Sequence, residues 1–69
     1  MNHQQVVDAI EEFLDYVASR SFRRNYPEIS RTIIRMADGY SQNDPTDVLM
    51  DLYRRMVAAF NNNNRAVGK

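Results

Sequence analysis

The fold is decided by the stretch DPTDVLMDLYRRMVAAF, residues 44–60. Asp44 followed by Pro45 indicates a helix start, because aspartate caps the free N–H groups of a first turn and proline fits the first helical position. Asp47 adds negative charge in that turn, where the helix dipole favours it. We therefore predict a helix over residues 45–60.

The apolar residues of this helix cover more of its circumference than a small bundle requires. On a wheel of about 100° per residue they span roughly 200°, whereas a surface helix needs a stripe only modestly wider than about 100°. Either two neighbouring helices cover the whole arc, or part of it contacts another chain. We favour the second interpretation and predict a two-fold homodimer, the commonest assembly. The predicted interface residues are Leu49, Met50, Tyr53, Met56, Val57 and Phe60.

The length of the chain also favours association. Its 69 residues allow one domain, which we assign to residues 1–60. A core of this size rarely supplies more than about 3–5 kcal/mol, so small domains usually add disulfides, metals or partners. The chain has no cysteine and a single histidine, so association is the reinforcement that remains.

Two helices are predicted upstream, which gives an all-α, three-helix domain. Residues 3–20 contain neither glycine nor proline, and their apolar positions recur at the spacing of one helical face. Residues 27–38 show the same spacing between Pro27, which suits a first turn, and Gly39, a natural left-handed terminator. Residues 61–69 include four consecutive asparagines and have low helix propensity, so we predict a disordered, flexible tail.

A formal net charge of zero hides alternating blocks of charge. Four acids in residues 1–19 precede five arginines and Glu28 in residues 20–35, and four acids in 38–51 precede four bases in 54–69. Eight of the nine bases are arginine, which favours bidentate pairing and partner contacts. The predicted partner-binding residues belong to the second block: Arg20, Arg23, Arg24, Tyr26, Arg31 and Arg35.

Three interpretations of this arginine block are open. The arginines pair with acids of the same chain or its mate, dock an acidic surface of another protein, or contact nucleic-acid phosphates. Interleaved aromatic residues support nucleic acid, but the neutral charge opposes it, since a pI above about 9 is the usual footprint. The connection before the 45–60 helix also exceeds the turn of about 3–4 residues in a helix-turn-helix. The acids of the first helix are likewise either a solvated face or a docking surface for a basic partner.

Groups that carry out chemistry are scarce. His3 is the only histidine and is predicted at a fraying terminus. A catalytic triad would therefore have no histidine base in a fixed position. The two glycines lie 29 positions apart, which removes a phosphate-binding glycine loop. Residues 38–49 lack the central glycine and closing glutamate of a calcium loop. We therefore predict no enzymatic activity, no cofactor and no metal.

The predicted function is that of a small, non-catalytic interaction protein, an adaptor or inhibitor that binds a larger protein, as bacterial and phage accessory factors do. An apolar patch would supply burial, and the arginines would steer and orient. The alternative is a small dimeric nucleic-acid-binding regulator that uses the same arginines.

No apolar run approaches the roughly 18 residues of a membrane helix. Residues 1–15 lack the order of a signal peptide, so we expect a cytoplasmic protein without membrane contact.

Overall fold

The computed structural model describes the backbone of residues 2–67 and the side chains of residues 2–62. No strand occurs in this part of the chain, so the predicted all-α class is confirmed. Helices α1 and α4 lie side by side and run in the same direction, and α3 packs against both. The helices are α1 (His3–Val17), α2 (Arg20–Asn25), α3 (Pro27–Met36) and α4 (Thr46–Val67).

The described residues form four helices rather than the predicted three, because the first helix ends at Val17 and residues 20–25, most of which lie between the first two predicted helices, form a helix of their own. Ala18 ends α1, and its N–H donates to the carbonyl of Leu14 at 2.9 Å. Ser19 is extended and caps α2, since its Oγ accepts the N–H of Phe22 at 3.3 Å. A serine N-cap is a recognised start signal. The predicted helices, over residues 3–20 and 27–38, leave residues 21–25 without a helix, so α2 was not predicted.

The ends of α3 and α4 also differ from the prediction. Helix α3 begins at Pro27 as predicted but ends at Met36, and Gly39 adopts the left-handed φ of +83° in the following turn. Helix α4 continues to Val67, so the predicted disorder of residues 61–69 is not confirmed. Residues of low propensity can extend an existing helix because no new nucleation step is needed. Residues 68 and 69 lie outside the described part.

The core lies where α1, α3 and α4 meet. Leu49 and Met56 are fully buried there, at 0% exposure. Both were predicted to contact a second chain, and the structure instead assigns them to the core of the single chain. Neighbouring helices thus cover the inner half of the apolar arc. The other completely buried apolar side chains are Val6, Ile10, Val17 and Ile33.

The first turn of α1 is held by specific hydrogen bonds, which corrects the predicted fraying. Asn2 and Gln5 form a capping box, with N···O distances of 2.8 and 2.9 Å. The Nδ1 of His3 lies 2.8 Å from Thr46 Oγ1, and its Nε2 lies 2.6 Å from the carbonyl oxygen of Gln42. Because a carbonyl only accepts, Nε2 donates, and in the neutral ring Nδ1 accepts from the threonine hydroxyl. His3 therefore joins the start of α1 to the start of α4.

Ser30 makes a buried hydrogen bond that joins α3 to the end of α1. Its side chain is 2% exposed, and its Oγ donates to the carbonyl of Val17 at 2.6 Å. That carbonyl ends α1 and has no partner within its helix. We expect Ser30→Ala to lower the free energy of unfolding by about 1–3 kcal/mol in urea denaturation. Ser21→Ala, on the exposed side of α2, should stay within about 0.5 kcal/mol, and equal losses in both variants would refute this account.

The loop before α4 is attached to α1 through Tyr40, whose hydroxyl donates to the Glu11 carboxylate. Burial, together with this hydrogen bond and the charge of Glu11, raises the pKa of Tyr40 from 10.0 to about 12. The folded state therefore holds the phenolic proton more tightly than the unfolded state. This contribution to stability is fully present below pH 10 and is lost as the pH rises toward 12.

We expect the Tm of the native chain to fall between pH 10 and pH 12 more steeply than that of Tyr40→Phe, which lacks the titrating hydroxyl. Tyr16→Phe is the matched control, because Tyr16 is exposed on α1. Thermal melts followed by circular dichroism measure the slopes. Native and Tyr40→Phe chains with the same slope would show that this hydrogen bond is not linked to folding.

Candidate functional site

Helix α2 is positioned by a buried aromatic side chain. A helix of six residues is too short to be stable by itself. Phe22 is buried, and its ring stacks on Phe60 of α4 with centroids 5.9 Å apart. The same ring lies 5.1 Å from that of Tyr16 and 5.3 Å from that of Tyr26. These contacts hold α2 against α1 and α4, with its remaining side chains directed outward.

One residue separates α2 from α3, so the two helices form one continuous surface. Tyr26 is that residue, and Pro27 follows at the first position of α3. All six predicted partner-binding residues are exposed on this surface. We name it the arginine surface, and it consists of Arg20, Arg23, Arg24, Tyr26, Arg31 and Arg35.

A groove of about 500 Å³ crosses the arginine surface between α2 and α3. Three of the six predicted residues line it, namely Arg23, Arg31 and Arg35, while the other three lie outside it. We name this the arginine groove. Its remaining lining residues, which the sequence analysis missed, are Pro27, Ser30, Ile34 and Asp38. Their positions follow one face of a helix, so the spacing was a signal that could have found them.

The arginines of this surface make no ion pair with the acids of the described residues. Within the described residues, the one ion pair closer than 4.0 Å joins Arg55 Nε and Asp51 Oδ2, at 3.0 Å on the exposed side of α4. Even Asp38, which lines the same groove, lies beyond that distance from Arg31 and Arg35. Pairing with acids of the same chain, one half of the first interpretation, is therefore absent from the part of the chain that the structure describes. Pairing with acids of a second copy stays a prediction.

A second groove, of about 540 Å³, runs between α1 and α4. Tyr53, Val57 and Phe60 line it, and all three belong to the predicted dimer interface. Met50, also predicted there, is half-buried outside the lining. Phe13 of α1 packs edge-on against Tyr53 and Phe60, with centroid distances of 6.2 and 5.6 Å. We name this the aromatic groove. The α1 residues that line it, none of which was predicted in the dimer interface, are Gln5, Asp8, Ala9, Glu12, Phe13 and Tyr16.

The two grooves differ in the charge of the side chains that line them. Three guanidinium groups line the first, whereas Asp8 and Glu12 line the second.

No cluster of three or more histidine, cysteine or acidic side chains in the described residues could hold a metal ion. Across the same residues, no helix combines the length and the apolar character needed to cross a membrane. Compared with protein-family models, with curated proteins and with solved structures, the chain matches none.

Proposed function

We propose that this chain is a non-catalytic, cytoplasmic interaction protein, an adaptor or inhibitor that docks on an acidic surface of a larger protein. The observation that carries the proposal is the arginine surface, whose six residues are all exposed and whose arginines have no acidic partner within the described chain. Guanidinium groups bind carboxylates through two parallel hydrogen bonds, and arginine and tyrosine are enriched among the residues that dominate binding energies. Such a surface steers an acidic partner and then orients it.

The single histidine supports a non-catalytic role. Both ring nitrogens of His3 are engaged in hydrogen bonds that hold the loop before α4 against α1. A general base must have a nitrogen free to reach a substrate proton. In this proposal His3 therefore maintains the fold, and the function depends on complementarity between surfaces.

A nucleic-acid-binding regulator is the second candidate, and Tyr26 is the observation that favours it. This side chain is exposed among the arginines, an arrangement that suits stacking on a base of a single strand. Asp38 does not separate the two candidates, because its carboxylate lines the arginine groove and would repel a phosphate and a carboxylate alike. The neutral net charge favours the protein partner, since nucleic-acid-binding domains are usually basic.

Fluorescence anisotropy with defined ligands tests the docking proposal. We expect a short peptide of glutamate, aspartate and serine to bind the native chain. The double variant Arg31→Gln/Arg35→Gln should weaken binding by about tenfold, because it removes two charge-assisted contacts. Arg55→Gln is the matched control and should change affinity less than about twofold, since Arg55 lies outside the surface and its exposed pair contributes little.

Failure of the peptide to bind, or equal losses in the double variant and the control, would reject the docking proposal. Single-stranded and duplex DNA serve as competing ligands in the same assay. Binding of DNA in preference to the peptide, with an affinity that falls log-linearly and steeply with salt, would select the nucleic-acid regulator instead.

We also propose that the chain forms a two-fold homodimer through the aromatic groove. The apolar residues of the groove are half-buried in the single chain, so a second copy would complete their burial. Asp8 and Glu12 line the groove on α1. Arg54 lies outside the lining but is exposed next to Tyr53 on α4, so it supplies positive charge on that side. A two-fold axis that runs along the groove would place the acidic side of one copy opposite the basic side of the other. Each dimer would then carry two arginine surfaces.

A further inference from the structure

The arginine groove has an apolar floor among its charges. Ile34 is 40% exposed, although the isoleucines at positions 29 and 33 of the same helix are buried. Pro27 lies two turns before it on the same helical face and also lines the groove. Ser30, between them, is engaged with Val17 and so has no free proton to donate to a ligand. This floor offers dispersion contacts and burial rather than hydrogen bonds.

The arginine side chains of the groove lie on the two sides of Ile34 and Pro27. Arg23 projects from α2, while Arg31 and Arg35 come from α3, one turn apart. The methylene stems of arginine also pack along apolar groups while the guanidinium group remains in water. A ligand that both covers the apolar side chains of the groove and pairs with its arginines therefore combines an apolar group with carboxylates beside it. A uniformly acidic surface would leave Ile34 and Pro27 uncovered.

We propose that the arginine groove binds a linear acidic segment of the partner in which one large apolar side chain is flanked by carboxylates. This inference rests on the proposed docking function and specifies what the docked segment contains. The apolar side chain packs on Ile34 and Pro27, and the carboxylates pair with Arg23 on one side and with Arg31 and Arg35 on the other. Charge complementarity with three guanidinium groups identifies the ligand as acidic.

Asp38 makes the groove asymmetric. It lies one turn beyond Ile34 at the end of the lining, so that end repels a carboxylate and accepts an N–H group or a cation. We expect Asp38→Asn to tighten binding of an acidic peptide by about threefold, because the variant removes the one carboxylate of the groove. Asp51→Asn, on the exposed side of α4, is the matched control and should leave the affinity unchanged.

The test compares two peptides of identical charge on the full chain by fluorescence anisotropy. Both contain glutamate, aspartate and serine, and one has leucine in place of the central serine. We expect the leucine peptide to bind the native chain about tenfold more tightly. Ile34→Ser should remove that preference. Val48→Ser, which changes an apolar residue of 50% exposure on α4, should keep it.

The outcomes separate this inference from the docking function on which it rests. Equal binding of the two peptides, still weakened by Arg31→Gln/Arg35→Gln, would overturn the inference and leave the docking function standing. Failure of both peptides to bind would remove both. The peptide comparison uses the native chain, so its result does not depend on the folding of any variant. A preference for leucine that survives Ile34→Ser would also overturn the inference, because the apolar contact would then lie elsewhere.

Discussion

Val57→Asp is expected to convert a dimer of twice the 8.1 kDa chain mass into a monomer, with the helix content unchanged. Val57 lines the aromatic groove and is only half-buried in the single chain, so its replacement leaves the core intact. In the dimer, however, the new carboxylate would be desolvated without a partner, which is strongly unfavourable. It would also stand near the groove acids Asp8 and Glu12. Light scattering on a size-exclusion column measures the mass, and circular dichroism measures the helix content.

Val48→Asp is the matched control, with the same substitution in the same helix. Val48 is 50% exposed and lies nine residues from Val57, which places it on the opposite side of α4. We expect this variant to keep both the dimer mass and the helix content. The proposed interface is wrong if the native chain already has the monomer mass, or if Val57→Asp retains the dimer mass. Loss of association in both variants would also place the interface elsewhere.

Met56→Ala is expected to have the largest effect on folding. Met56 is completely buried, and truncating a buried methionine to alanine costs about 2–5 kcal/mol through lost burial and the cavity left behind. A core of this size supplies only about 3–5 kcal/mol, so the loss approaches the entire stability. Urea denaturation followed by circular dichroism should therefore show a transition at far lower urea, or none.

Met50→Ala provides the comparison, because it truncates the same residue type in the same helix. Met50 is half-buried, so its truncation leaves no closed cavity and should cost about 1 kcal/mol or less. The sequence predicts both methionines in one interface, whereas the structure places only Met56 in the core. Equal shifts in the urea midpoint for the two variants would contradict that distinction.

These two methionines illustrate why the sequence predicted the helices better than their packing. A helical wheel shows that α4 has a wide apolar arc, because periodicity is a property of one segment. It does not show which half of the arc the neighbouring helices cover. That depends on the positions of α1 and α3, which arise from tertiary packing. Leu49, Met56 and Tyr53 are therefore equivalent on the helical wheel. Only the packing of α1 and α3 shows that the first two are buried and that Tyr53 is half-buried.

The candidate site was predictable to a similar extent. The six residues of the arginine surface are close in sequence, so their clustering followed from charge and spacing alone. The groove was not predicted, because it exists only where the short helix α2 packs against α3. Its signal was Ser19, an N-cap whose role was missed. Ile34 gave a second signal, since it lies beside the buried stripe of α3 and shares a helical face with Pro27 and Arg31.

An NMR titration of the ¹⁵N-labelled full chain with the acidic, leucine-containing peptide tests the central claim most directly. We expect the backbone amide shifts to concentrate in α2 and α3, around Arg23, Arg31 and Ile34. We also expect Arg31→Gln/Arg35→Gln to move the titration to about tenfold higher peptide concentration, while Arg55→Gln leaves it in place. Shifts centred on α1 and α4, or no shifts at saturating peptide, would show that the arginine surface is not the binding site.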